Sequence, residues 1–182
     1  YERLVGLGAA FGEKSGWERA NWFAPNAAHG DESLRPRGWA GKLWSPAVGV
    51  EHRACREAVA IFDESSFAKI DVGGPGAAAF LESLCANRVV RDVGAVTYAQ
   101  MLISRGGIEC DFTVTRLTEG TFRIVTGTAF GQHDLAWIRQ HAHGDGSVHV
   151  SDVTSQQACF GLWGPKAREV LQPLTSADLS NE

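Results

Sequence analysis

The sequence lacks the features that mark several large classes of protein. No segment approaches the roughly 20 consecutive apolar residues that a helix needs to cross a bilayer, and no basic-then-apolar leader precedes a cleavage site. The 17 basic and 21 acidic residues are scattered, so no basic stripe is available to follow a phosphate backbone. We therefore expect neither a membrane nor a nucleic acid as a partner.

Common motifs of cofactor and enzyme chemistry are also missing. The glycine cluster at 73–76 lies between a predicted strand and a predicted helix, but Pro75 removes an amide that a dinucleotide pyrophosphate would use. No Gly-x-Ser-x-Gly elbow for a nucleophilic serine is present. We therefore expect neither a bound dinucleotide nor a catalytic serine.

The six histidines do not form a pattern typical of a metal site. His141 and His143 are two residues apart, which places them on different sides of a helix. The other four histidines have no acidic or thiol partner at ligand spacing in the sequence. These four are His29, His52, His133 and His149. The sequence therefore predicts no metal site.

The four cysteines are far apart, and none belongs to a Cys-x-x-Cys pair. They are Cys55, Cys85, Cys110 and Cys159. We expect buried, reduced thiols, because a free cysteine packs as a small hydrophobic residue. Reduced thiols are typical of a bacterial cytoplasm or a mitochondrial matrix, which is the predicted location.

The length of 182 residues, with 44% hydrophobic and 21% charged residues, is typical of one folded domain with a structured extension. The first residue is Tyr1 rather than Met, so we expect a chain cut from something longer, whose leader could have been lost. Proline and glycine interrupt residues 24–49 repeatedly, which predicts an extended connector.

Hydrophobic periodicity predicts the remaining elements. Helices are expected at 50–62, from Pro75 to Asn87, near 130–141 and after Pro165, and strands at 67–72, 96–103, 108–117, 121–126, 148–154 and 157–163. Gly106 and Gly107 predict a hairpin between the second and third strands. This order predicts an α+β fold with a mainly antiparallel sheet, and we find no internal repeat.

The strand at 108–117 carries an unusual carboxylate. Alternation places Ile108, Cys110, Phe112 and Val114 on an apolar face, and Glu109, Asp111, Thr113 and Thr115 on the other. Asp111 lies in mid-strand, where aspartate is disfavoured, and this indicates a functional carboxylate. A plain solvent-facing aspartate fits the same pattern, and spacing alone does not decide between them.

Longer motifs carry a resemblance to a known family. The string G-x-V-x-Y-x-x-M-L-x-x-x-G-G-I-x-x-D at 94–111, together with V-E-H-R-A-C-R-E-A-V-A-I-F-D at 50–63, resembles the glycine-cleavage T-protein, an aminomethyltransferase. The opening G-E-K-S-G-W-E-R-A-N-W-F at 12–23 resembles the dimethylglycine and sarcosine dehydrogenases. The resemblance implies that 1–48 is a connector from an upstream flavin domain. It implies that 49–182 is the N-terminal portion of a T-protein-like folate-binding domain, truncated at its C-terminus.

The resemblance also implies a folate site. The aspartate at the position of Asp111 lies beside the folate pteridine in that family and assists one-carbon transfer, and the tyrosine at the position of Tyr98 lines the pocket. Met101, Leu102 and Thr113 are expected to contact folate as neighbouring motif residues. T-proteins commonly have two aspartates where this chain has Cys110 and then Asp111. The chain also ends before the family's downstream acidic folate-binding region.

The implied function is capture of an iminium on tetrahydrofolate, which forms 5,10-methylenetetrahydrofolate in an FAD-dependent dehydrogenase of an N-methyl glycine. FAD is expected only in the upstream domain, so we expect the isolated chain to be colourless, inactive and weak in binding folate. Two alternatives remain open at this point. One is a catalytically silent regulatory or interaction module on the same fold, and the other is a fragment of a free glycine-cleavage aminomethyltransferase.

Overall fold

Helices and strands are mixed along the chain in the manner of an α+β fold. The structure, a computed structural model, describes residues 1–180. The helices are α1 (Glu2–Gly6), α2 (Pro46–Glu57), α3 (Ala77–Leu84), α4 (Gly131–His141) and α5 (Ala167–Leu171). The strands are β1 (Ala9–Lys14), β2 (Trp17–Phe23), β3 (Ala60–Asp63), β4 (Ala68–Gly73), β5 (Val96–Leu102), β6 (Ile108–Thr118), β7 (Thr121–Thr126), β8 (His149–Asp152) and β9 (Phe160–Trp163).

These elements belong to two compact units, a terminal unit of residues 1–63 and 160–180 and a central unit of residues 64–159. The central unit is built on a five-stranded antiparallel sheet with the order β5-β6-β7-β4-β8. Side chains alternate along its strands, so that Phe122 and Ile124 of β7 are buried while Arg123 between them is not. Residues Ala77, Phe80 and Leu81 of α3 and Leu135 and Ile138 of α4 complete the same core.

The terminal unit contains two small sheets, the hairpin β1-β2 and the pair β3-β9. Ser45 and Pro46 set the start of helix α2. The Ser45 side chain accepts a hydrogen bond from the amide of Ala47, and Pro46 occupies the first helical turn. Glu51 of α2 accepts hydrogen bonds from the amide of Phe23 and the side chain of Asn26, at 2.8 and 2.9 Å. One half-buried carboxylate thus joins α2 to the end of the hairpin.

Each unit contains one copy of the same strand–turn–helix element. Gly74 follows β4 with φ +118°, and Gly164 follows β9 with φ +122°. Proline comes next in both copies, and the amide of the first helical alanine bonds the glycine carbonyl at 3.1 Å in both. A Cβ on either glycine would meet a backbone carbonyl oxygen at 2.4 Å, so both positions require glycine. The sequence analysis missed this local repeat.

The structure corrects two predictions about the first third of the chain. The helix predicted at 50–62 ends at Glu57, and Ala60–Asp63 is a strand instead. Residues 24–43, predicted as an extended connector, hold three short 3₁₀ segments, and the hairpin β1-β2 before them was not anticipated. The predicted division at 48/49 falls inside α2, and the linker role of 1–48 stays a prediction. No described helix is long and apolar enough to cross a membrane.

Candidate functional site

Three of the predicted site residues come together on one face of the central sheet. Strands β5 and β6 pair so that Tyr98 lies opposite Thr113 and Gln100 lies opposite Asp111. Side chains of direct and diagonal neighbours on one sheet face are within reach of each other, so Tyr98 and Asp111 are diagonal partners. Tyr98 is 55% exposed and Asp111 is exposed as well, so both are open to a ligand.

The Asp111 carboxylate influences the phenol of Tyr98. Side-chain hydrogen bonding to Asp111 favours the neutral phenol and raises the pKa of Tyr98 above its ordinary value, and the charge of Asp111 acts in the same direction. Tyr98 therefore stays a neutral donor at physiological pH. Asp111 retains acceptor capacity, since a carboxylate accepts at two oxygens. The pair presents an exposed carboxylate that can accept a proton or stabilise a cation.

The other two predicted residues occupy different surroundings. Leu102 is exposed at the end of β5. Met101 is fully buried in the core, opposite Cys110, and therefore lies on the sheet face away from Tyr98 and Asp111. The predicted folate contacts of Met101, Leu102 and Thr113, and the predicted role of Asp111, are not tested by these placements and stay predictions.

An irregularity in the ladder changes the surroundings of residues 108 and 109. Met101 pairs with Cys110 whereas Leu102 pairs with Ile108, so Glu109 is an additional residue in β6. Ile108, predicted on the apolar face, is 65% exposed. From Cys110 onward the side chains alternate regularly again. Asp111 therefore lies on the exposed face, as predicted, whereas Ile108 does not lie on the apolar face predicted for it.

Sequence reasoning missed an ion pair on the same sheet face. Arg123 of β7 lies opposite Thr115 of β6 and opposite Asp71 of β4. Its guanidinium donates to both carboxylate oxygens of Asp71, at 2.8 and 2.9 Å, and this contact raises the pKa of Arg123. The alternation of β7 contains the signal, since it sets Arg123 apart from buried Phe122 and Ile124. The face thus combines a charged pair with the Tyr98–Asp111 pair.

A second polar cluster forms at the start of α4 and corrects the expectation that His133 lacks an acidic partner. Nδ1 of His133 lies 2.9 Å from Oδ1 of Asp134, and Nε2 lies 3.0 Å from Oε1 of Glu109. These hydrogen bonds, the one to Asp134 foremost, raise the pKa of His133. Burial, with the nearby Asp134 charge, raises the pKa of the Cys110 thiol. One partner of His133, Asp134, is its neighbour in the sequence, and the other, Glu109, belongs to strand β6.

The chain matches the GCVT N-terminal domain over residues 1–182 and belongs to that family. A 4-methylaminobutanoate oxidase (formaldehyde-forming) from Paenarthrobacter nicotinovorans is 36% identical over the whole chain, and the human mitochondrial dimethylglycine dehydrogenase is 34% identical over the whole chain. The chain spans 22% and 21% of these two proteins. The crystal structure of the glycine cleavage system aminomethyltransferase T from Bartonella henselae superposes with a TM-score of 0.76 at 27% identity, covering 95% of this chain and 42% of that one. The α+β fold predicted from the sequence, and the family resemblance, are confirmed.

Proposed function

We propose that this chain contributes the carboxylate of a tetrahydrofolate site at which a one-carbon unit is captured. The observation that carries the proposal is the exposed Asp111, a diagonal neighbour of Tyr98 on an open sheet face. The names of the relatives support it, because they describe an aminomethyltransferase, a dimethylglycine dehydrogenase and a formaldehyde-forming oxidase. The shared chemistry is handling of a one-carbon group on nitrogen.

The Asp111 carboxylate would act on a nitrogen of bound folate. As that nitrogen attacks an iminium carbon it gains positive charge and then loses a proton, and a carboxylate within hydrogen-bond reach stabilises the charge or accepts the proton. Tyr98, a neutral phenol on the same sheet face, would donate to the same carboxylate and orient it. Thr113, opposite Tyr98, and Leu102 would line the pteridine on either side of this pair. General-base help of this kind is worth about 10²- to 10⁴-fold in rate.

The finer proposal concerns the protein to which these residues belong. A flavin domain of the same parent chain would generate the iminium from an N-methyl amine, and the product would be 5,10-methylenetetrahydrofolate. The bacterial cytoplasm or the mitochondrial matrix would be the compartment, which agrees with four cysteines that are all unpaired. Folate, as the acceptor, and the flavin domain are then the partners.

The test uses the longest natural chain that contains these residues, in which amine oxidation and folate product are measured separately. Asp111→Asn keeps the shape of the side chain and removes its charge. We expect amine oxidation to be nearly unchanged and 5,10-methylenetetrahydrofolate to form about 10²-fold more slowly, with formaldehyde released instead. The control is Glu18→Gln, an exposed strand carboxylate of the terminal unit, which should change neither rate.

Two results would redirect the proposal. Normal formation of the folate product by Asp111→Asn, with loss in Glu109→Gln, would move the catalytic role to the neighbouring carboxylate. No calorimetric binding of tetrahydrofolate by the unaltered long chain would instead favour the silent interaction module.

A further inference from the structure

The cluster at the start of α4 brings together three side chains that carry different metal-binding atoms. The thiol of Cys110, a ring nitrogen of His133 and a carboxylate oxygen of Asp134 all lie within 4.8 Å of one another. Cys110 and Asp134 are only 2% and 1% exposed, whereas the His133 side chain is 47% exposed. The cluster is therefore anchored in the core and open to solvent on the histidine side.

Further hydrogen bonds orient two of these three groups. Nδ1 of His133 points at Asp134, and Nε2 points at the Glu109 carboxylate 3.0 Å away. The remaining oxygen of Asp134, Oδ2, accepts a hydrogen bond from the hydroxyl of Thr126 at 2.6 Å. A histidine that binds a metal usually donates its other N–H to a carboxylate, and a carboxylate ligand is usually hydrogen-bonded in turn. The cluster already has both supporting contacts.

We propose that Cys110 Sγ, His133 Nδ1 and Asp134 Oδ1 bind a zinc-class divalent cation, with Glu109 and Thr126 as supporting groups. One sulfur, one nitrogen and one oxygen form a donor set that zinc accepts, whereas magnesium and calcium require oxygen ligands. Three protein ligands leave one tetrahedral position for water or a ligand group. This proposal departs from the sequence analysis, which predicted no metal site.

The groups around His133 favour a dication at this position. Both ring nitrogens of His133 face carboxylate oxygens, Oδ1 of Asp134 and Oε1 of Glu109. The cation would take the place of the contact between Nδ1 and Oδ1, while Nε2 keeps its contact with Glu109. The Cys110 thiol binds a metal as the thiolate, and its proton passes to solvent.

The test titrates the chelator-treated chain with ZnCl₂ by calorimetry and with CoCl₂ by absorption spectroscopy. We expect one cation per chain, release of protons measured in buffers of different ionisation enthalpy because the thiol binds as a thiolate, and a thiolate-to-cobalt charge-transfer band. His133→Gln, at an exposed position that should fold normally, is expected to weaken binding at least about 10-fold, and Cys110→Ser should also remove the cobalt band. Glu109→Gln is expected to weaken binding by about 10- to 100-fold and to retain the band.

The matched control is Cys55→Ser, a half-buried thiol of the terminal unit, which should bind like the unaltered chain. The melting temperature of each variant without metal shows whether it is folded. Equal affinity of the His133→Gln variant and the unaltered chain, or no binding at millimolar ZnCl₂, would overturn the proposal. The cluster would then be an internal ion pair only.

Discussion

The central and terminal units share a strand–glycine–proline–helix element but differ in what packs around it. In the central unit that element leads into α3, whose Ala77, Phe80 and Leu81 are buried. In the terminal unit it leads into α5, which has no buried residue. Among the described residues, Ala47 is the only buried hydrophobic side chain of the terminal unit, and the rest of the buried core is central. The turn therefore sets the local geometry in both units, whereas burial decides how much stability the element contributes.

Two phenylalanines give the largest expected contrast between the units. Phe122 is fully buried in the central core, and Phe160 of the terminal unit is 60% exposed. Phe122→Ala should lower the free energy of unfolding by about 3–5 kcal/mol, because it removes buried contacts and leaves a cavity. Phe160→Ala should change it by less than about 1 kcal/mol. Urea unfolding followed by circular dichroism measures both, and similar values for the two variants would contradict the comparison.

Gly74 and Gly164 allow the two units to be compared with substitutions that impose the same local backbone strain. Gly74→Ala and Gly164→Ala each force alanine to a φ near +120° and against a carbonyl oxygen, at a cost of about 1–3 kcal/mol. We expect Gly74→Ala to lower the unfolding midpoint of the central sheet. Gly164→Ala should loosen β9 and leave that sheet intact, as reported by amide signals of β6 and β7 in NMR spectra. Loss of the β6 and β7 signals in Gly164→Ala would show that the units do not differ in this way.

Hydrogen exchange compares the units without mutation. Amides inside β6 and β7 belong to a five-stranded ladder over a core, whereas the β3-β9 pair has two strands and exposed side chains such as Ile61 and Trp163. We expect amides in the ladder to exchange at least about 10-fold more slowly than those of β3, a difference of about 1.4 kcal/mol in opening free energy. Equal protection in the two sheets would contradict the expectation that the central sheet is the more stable of the two.

The smallest expected effect concerns the ion pair of the central sheet. Arg123 and Asp71 form two parallel hydrogen bonds, and about a quarter of each side chain is exposed. Asp71→Asn should cost about 1 kcal/mol of stability, since solvent screens part of the attraction even in this bidentate geometry. The difference from the unaltered chain should shrink as NaCl is raised. A salt-independent difference would point to lost packing rather than lost charge.

The sequence predicted the parts of the fold that depend on local patterns. Strand β7 was predicted at 121–126 and occurs at Thr121–Thr126, because apolar and polar side chains alternate there without interruption. Strand β3 was read as the end of a helix, because the apolar residues Ala60–Phe62 fit either period. Its partner β9 lies about 100 residues later, and no local pattern contains that information.

The same limit applies to the polar groups. Asp111 was singled out because alternation and β-propensity are local, and the structure puts Tyr98 beside it. The cluster around His133 was missed because its members come from β6, β7 and α4, and because the extra residue in β6 moves Glu109 out of simple alternation. A histidine followed by an aspartate in sequence was the one local signal, and spacing rules for metal ligands give it little weight.

The discontinuity of the terminal unit has a consequence for synthesis on the ribosome. Strand β3 is made about 100 residues before β9, its partner, so at 5–20 residues per second it waits roughly 5–20 s. The central unit is continuous in sequence and can fold during that interval. Until β9 emerges, the backbone amide and carbonyl groups of β3 are unpaired and open to chaperones and to other nascent chains. The order of folding is thus set by which unit the chain completes first.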